Sequence, residues 1–166
     1  MTAAHAVSVL LEDRLITLNR AVGIIRRRNL PVRSLAVGPT GTPGLSRLTI
    51  MMQSDPAAAE RAVQHFQKMV GVHSAVAFPA RDGVARELAL VKVRASHDRY
   101  GELLDVVQLY DAAVVDDTAD AMIVELSGSE AFVLSCIRAL ERFGVVEVAR
   151  SGTVALGSGT DIQSGT

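Results

Sequence analysis

The sequence predicts an α+β protein made of two successive βαββαβ units. Each is a ferredoxin-like arrangement, an antiparallel sheet with its helices on one face. Three observations predict it. Short runs of apolar residues alternate at period two, and between them apolar residues recur at helical spacing. The order strand, helix, strand, strand, helix, strand then occurs twice. Turn chemistry, Pro79-Ala80-Arg81-Asp82-Gly83, separates the two occurrences.

In the first half, Val7 to Leu11 reads as a strand. Leu18, Ala21, Val22 and Ile25 fall at i, i+3, i+4 and i+7 on one helix face. Asp13 is placed to open that helix. Arg26, Arg27 and Arg28 occupy its last turn, where cations suit the negative end of the dipole. Pro31 ends the helix and starts an extended run, Val32 to Val37. Residues 38–44 are turn-rich. Leu48, Ile50 and Met52 alternate as in a half-buried strand. Asp55-Pro56 opens a second helix, with Asp as cap and Pro at the first helical position. Ala59, Val63, Phe66 and Val70 form its stripe, and Val72 to Phe78 is a strand.

The second half repeats the order. Glu87 to Val93 is a strand, and Ser96 caps a helix carrying Tyr100, Leu103, Leu104 and Val107. Ala112 to Val115 and Met122 to Leu126 are strands joined by an Asp-rich turn. Phe132, Cys136 and Leu140 mark a helix ended by Gly144. Val145 to Val148 starts a last strand whose end lies as far along as Leu156. The expected organisation is a first domain over 1–78, a linker over 79–85, a second domain over 86–156 and a flexible tail over 157–166. A unit this small has a small core. The halves are therefore expected to pair with each other or with a second chain, through sheet edges whose backbone groups seek partners.

Composition narrows the function. Among 166 residues, 17 basic side chains face 18 acidic ones, so no basic surplus serves a nucleic-acid backbone. With no Trp, four Phe and two Tyr, stacking platforms for single strands are not expected. No apolar run reaches a membrane-spanning length of about 18 residues, and no secretory signal opens the chain, so a cytoplasmic protein is expected. The one cysteine, Cys136, cannot close an intrachain disulfide or a thiolate zinc site.

Reacting groups are scattered. His5, His65, His73 and His97 have no metal-pair spacing. Cys136 lies on an apolar helix stripe, where a thiol is inert. Gly38, Gly41 and Gly44 resemble a phosphate cradle, but they lie between two strands and beside Pro39 and Pro43, which lack an amide donor. A long hairpin loop fits them better. Asp116, Asp117 and Asp120 read as a solvated turn or an oxygen-ligand metal site. Arg26 to Arg28 reads as a solvated face or an anion contact. Nucleophile, base and stabiliser do not occur together, so a binding or regulatory module is favoured over an enzyme, and no metal or catalytic residue is assigned.

Four blocks now carry a resemblance. They are Val7-Ser8-Val9-Leu10-Leu11-Glu12-Asp13; Ser34 to Thr40 with Leu45 to Ile50; Arg86 to Val93; and Val146-Glu147-Val148-Ala149-Arg150-Ser151-Gly152. In this order they resemble the small regulatory subunit of acetolactate synthase. The resemblance implies an N-terminal ACT domain followed by a second ferredoxin-like domain. It also implies a chain without catalysis or cofactor of its own. Its partner would be the catalytic large subunit, which carries thiamine diphosphate, Mg and FAD and forms acetolactate in branched-chain amino acid synthesis. The small subunit of that family activates its partner, dimerises through its ACT domains and confers valine feedback at the dimer interface.

Effector-binding residues follow from the same resemblance. Asp13, Leu15, Ile16, Thr17 and Leu18 stand at the first turn, and Pro31 and Val32 at the position supplied by the second copy. The family has Asn-x-x-Gly in that turn, and here the Asn position is Asp13 and the Gly position Ile16. A partner-chain Asn becomes Pro31. Asp13 would repel a ligand carboxylate, Ile16 would fill side-chain space, and Pro31 lacks the amide. Weakened or lost valine feedback is therefore expected, or a different small amino-acid effector. The Gly38–Arg47 loop, with Gly38, Thr40, Gly41 and Arg47, is the expected contact with the catalytic subunit. Arg47 could instead pair within its own sheet. A free-standing ACT-type amino-acid sensor is the competing reading.

Overall fold

Side chains alternate across a strand, so Val7, Val9 and Leu11 share one face of β1 (Ala3–Glu12). They are fully or almost fully buried, together with Leu48, Ile50 and Met52 of β3 (Leu45–Ser54). Onto this face pack Ala21 of α1 (Leu15–Arg27) and Ala62, Val63 and Phe66 of α2 (Pro56–Gln67). Burying a Phe side chain contributes about 1.5–3 kcal/mol, so Phe66 is a principal anchor of α2. With β2 (Val32–Pro39) and β4 (Val72–Pro79), the sheet order is β2-β3-β1-β4, and all pairings are antiparallel. The computed structural model describes residues 2–94 and 96–159; the side chain of His97 and the tail from 160 onward lie outside the described residues.

The second unit repeats the order in β5 (Gly83–Arg94), α3 (Tyr100–Leu109), β6 (Ala113–Asp117), β7 (Ala121–Gly128), α4 (Glu130–Glu141) and β8 (Val145–Arg150). Its sheet order is β6-β7-β5-β8. Ala89, Val91 and Val93 meet Met122, Val124 and Leu126, and Leu103, Val107, Val133, Cys136 and Leu140 close that core from the helices. The chain is thus two ferredoxin-like α+β units, as the periodicities predicted.

Local chemistry explains most boundaries. The Asp55 carboxylate accepts from the Ala58 amide at 2.6 Å, with Pro56 at the first helical position, so α2 starts where the sequence placed it. Four details differ from the sequence reading. Val70, read as part of the α2 stripe, is 78% exposed, because α2 ends at Gln67 and Gly71, at φ +90°, turns the chain into β4. Asp13 does not cap α1. The cap residue is Arg14, in extended conformation and without a side-chain cap bond. Ser96 precedes a single 3-10 turn, His97–Arg99, without capping it, and α3 starts after that turn. The last strand does not run on to Leu156. It ends at Arg150, Gly152 adopts φ +75°, and Val154–Gly157 forms a separate strand, β9.

That break matters for the first unit. Residues 153–159 group with residues 2–85, while Arg86–Gly152 form the second unit. Residues 153–156, read with the second domain, and 157, read as tail, thus lie with the first unit. Ala155 is buried with Ala6 and Met51 on the face of the first sheet opposite its helices, beside Phe78, Ala80 and Ala85. β3 is therefore buried on both faces rather than half-buried. The stretch read as a linker holds the end of β4, a 3-10 turn (Ala80–Asp82) and the start of β5. A Cβ at Gly83 would collide with the Leu156 carbonyl oxygen, so only glycine admits the returning strand.

Candidate functional site

Where β1 ends, the chain must turn into α1 past the β2–β3 loop. The Asp13 amide donates to the Gly44 carbonyl at 2.8 Å, and the Ser46 hydroxyl donates to Asp13 Oδ1 at 2.9 Å. This carboxylate is thereby tied to β3. The amides of Thr17 and Leu18 donate to the Arg14 carbonyl at 3.0 and 3.1 Å. Those of Leu15 and Ile16 have no intrahelical acceptor, as at any helix start, and could hold an anionic group.

A cleft of about 340 Å³ lies beside this turn. Its apolar wall is Leu11, Leu15, Leu18 and Val37, and Asp13, Arg14 and Ser46 stand on its polar side. The geometry suits a small ligand with an apolar side chain, held by backbone amides and a few polar groups.

The predicted effector residues divide. Asp13, Leu15 and Leu18 line the cleft, together with Gly38, which had been assigned to a partner contact. Ile16 does not line it and is 52% exposed. Thr17 is buried, its side chain against Gly71, and its hydroxyl has no hydrogen bond among the described residues. Pro31 lines a different hollow, with Arg28, Arg61 and His65, and Val32 pairs with Met52. Residues 32–36 of β2 separate Pro31 from Val37, the first strand residue on the cleft, which is about 20 Å of strand. Sequence reasoning missed Leu11, Glu12, Arg14, Val37, Pro39 and Ser46. The alternation of β2 puts Val37 on the helix side, but the reach of Ser46 to Asp13 has no signal in the sequence.

The loop residues also divide. Thr40 is occupied within its turn, its hydroxyl donating to the Leu45 and Thr42 carbonyls at 3.0 and 3.2 Å. Gly41 is open, with no atom within 4 Å of where a Cβ would stand. Arg47 is not on the loop tip. It lies on the helix-free face of the sheet and donates to Ser8 Oγ at 2.7 Å. β2 is an edge strand, and Leu35 and Val37 on it are 40% and 50% exposed.

The other reactive candidates have structural roles. Cys136 is fully buried, and burial pushes its thiol up to about 11. Asp117 accepts from the Tyr100 hydroxyl at 2.6 Å, and this bond holds the phenol above its ordinary range. No three His, Cys, Asp or Glu side chains among the described residues are grouped to hold a metal. In the second unit, Arg150 donates to the buried Glu87 carboxylate through Nε and Nη2 at 3.0 and 2.5 Å.

With the geometry in place, comparison with known proteins is specific. A family model described as an acetolactate synthase small-subunit-like ACT domain matches residues 7–74. A second, the small subunit of acetolactate synthase, matches residues 86–159. The chain is 34% identical over 158 residues to the acetolactate synthase small subunit of Mycolicibacterium smegmatis, covering 95% of this chain and 93% of that one. It is 33% identical over 152 residues to a probable acetolactate synthase small subunit of Archaeoglobus fulgidus, covering 92% and 95%. The crystal structure of the small subunit from Thermotoga maritima superposes with a TM-score of 0.85 at 30% identity, over 95% of this chain and 98% of that one.

Proposed function

The chain belongs to the acetolactate synthase small-subunit family, and from that premise we propose that it binds and activates the catalytic large subunit in the cytoplasm, with valine feedback weakened or lost. Thiamine diphosphate, Mg and FAD belong to the large subunit in this reading. This chain contributes binding and coupling, and no bond-making step.

The observation that carries the feedback claim is the Asp13–Ser46 bond at 2.9 Å. An amino-acid effector held at the start of α1 would direct its carboxylate toward the free amides of Leu15 and Ile16. Asp13 puts a second carboxylate on the same cleft, and like charges at close range repel. Ser46 keeps that carboxylate in place. The ligand's ammonium gains an acidic neighbour, but the contact that a neutral amide would offer the carboxylate is gone.

The second copy enters through β2. Its exposed Leu35 and Val37 lie on an unpaired edge, which a second sheet would cover. Antiparallel pairing of two β2 strands sets the start of one beside the end of the other. The partner copy's Pro31 position then stands near Gly38 and the cleft, which the same chain's Pro31 cannot reach. A ligand bridging two copies stabilises the dimer it fits, and this is how its binding becomes regulation. Pro31 gives such a ligand no side-chain amide.

Reconstitution tests the reading. The large subunit, purified alone, is mixed with this chain and run by size exclusion. Co-elution with raised turnover is expected. Separate elution with unchanged turnover would favour the free-standing amino-acid sensor.

A further inference from the structure

At the end of α1 opposite the cleft, a hollow of about 230 Å³ lies between the α1 C-terminus and α2. Arg28, Arg61 and His65 line it, and neither Asp nor Glu is among its lining residues. The guanidinium groups of Arg28 and Arg61 make no ion pair or hydrogen bond among the described residues. Leu30 and Pro31 supply an apolar rim, with Met52 and Ala62 fully buried beneath it. The two arginines reach one concavity from different elements, Arg28 from the end of α1 and Arg61 from α2. His65 is half-buried there, and burial and the charges of Arg28 and Lys68 hold its imidazole below its ordinary range. An anion here would meet two guanidinium groups, whose full charges outweigh the partial negative charge at the α1 C-terminus.

We propose that this hollow binds a small phosphomonoester, its phosphoryl oxygens between Arg28 and Arg61 and its organic body against Leu30 and Pro31. Two guanidinium forks match the oxygens of a phosphoryl group. The concave shape and apolar rim favour a compact molecule over an acidic protein surface. Within one copy the site lies at the other end of the 13-residue α1 from the effector cleft, about 20 Å away; in the β2-paired dimer its Pro31 side faces the partner's cleft. It does not rest on activation of a large subunit, and the test below uses the full chain alone.

Calorimetry with inorganic phosphate and with phenyl phosphate provides the test, alongside NMR titration of the His65 imidazole. Saturable binding of phenyl phosphate is expected, tighter than that of inorganic phosphate. Arg28→Gln and Arg61→Gln should each weaken it at least fivefold, while Arg138→Gln, the same charge change on α4, leaves it unchanged. The His65 pKa should rise on saturation. Equal affinity for the two probes would replace the phosphomonoester with a free anion. Binding that ignores Arg28 and Arg61, or a His65 signal that does not move, would overturn the proposal. So would an oligoglutamate peptide that binds these residues when neither phosphate does. Circular dichroism confirms folding of each variant, since all three positions are exposed.

Discussion

The Ser46 hydroxyl donates to the Asp13 carboxylate at 2.9 Å and ties the end of β1 to the start of β3. The residue best placed to meet an effector at this turn is thereby committed to the scaffold. Ser46→Ala should cost about 1.5–3 kcal/mol, the range for a hydrogen bond to a charged group, at the low end because Asp13 is exposed and can recover water. The shift in urea midpoint measures it.

Restoring the pattern of the family should restore the ligand. Asp13→Asn with Pro31→Asn removes the competing charge and supplies two amides. Valine affinity is expected to rise tenfold or more by calorimetry. Adding Ile16→Gly costs about 1 kcal/mol of helix stability and should bring a smaller gain, since Ile16 does not line the cleft.

In the second unit, Glu87 is 1% exposed and its charge is held by Arg150, a residue 63 positions away. Arg150→Ala leaves that carboxylate buried without its ion partner. A loss of about 3 kcal/mol is expected, at the lower end for a broken buried pair because Arg150 is itself 32% exposed. Thermal unfolding of the full chain checks it, and Lys92→Ala, whose pairing with Glu147 is exposed, should cost under about 1 kcal/mol.

Cys136 should resist alkylation. Burial raises its thiol to about 11, so the thiolate fraction at pH 8 is small and access is closed. Iodoacetamide should label the native chain at least 100-fold more slowly than the chain in urea. A rise in labelling should occur only as pH approaches the raised value or as the chain unfolds.

Much of this fold is legible in the sequence. Val7, Val9 and Leu11 announce a strand, and Asp55-Pro56 announces a helix start, because both signals are local. What was not legible depends on contacts between distant segments. Nothing near Ala155 says that the chain turns back at Gly152 to cover Ala6 and Met51. Asp13 has the side chain of a helix cap, but Ser46, 33 residues on, competes for it, and the cap position passes to Arg14. Arg47 looked like a loop residue, yet strand alternation turns it onto Ser8. The basic hollow was half visible as Arg26 to Arg28, but only the fold brings Arg61 and His65 to it.

Acetolactate formation by the cognate large subunit, measured with and without this chain across a valine titration, tests the central claim most directly. Stimulation that valine leaves untouched is the expected result. Absence of stimulation, or stimulation that low valine concentrations abolish, would contradict it.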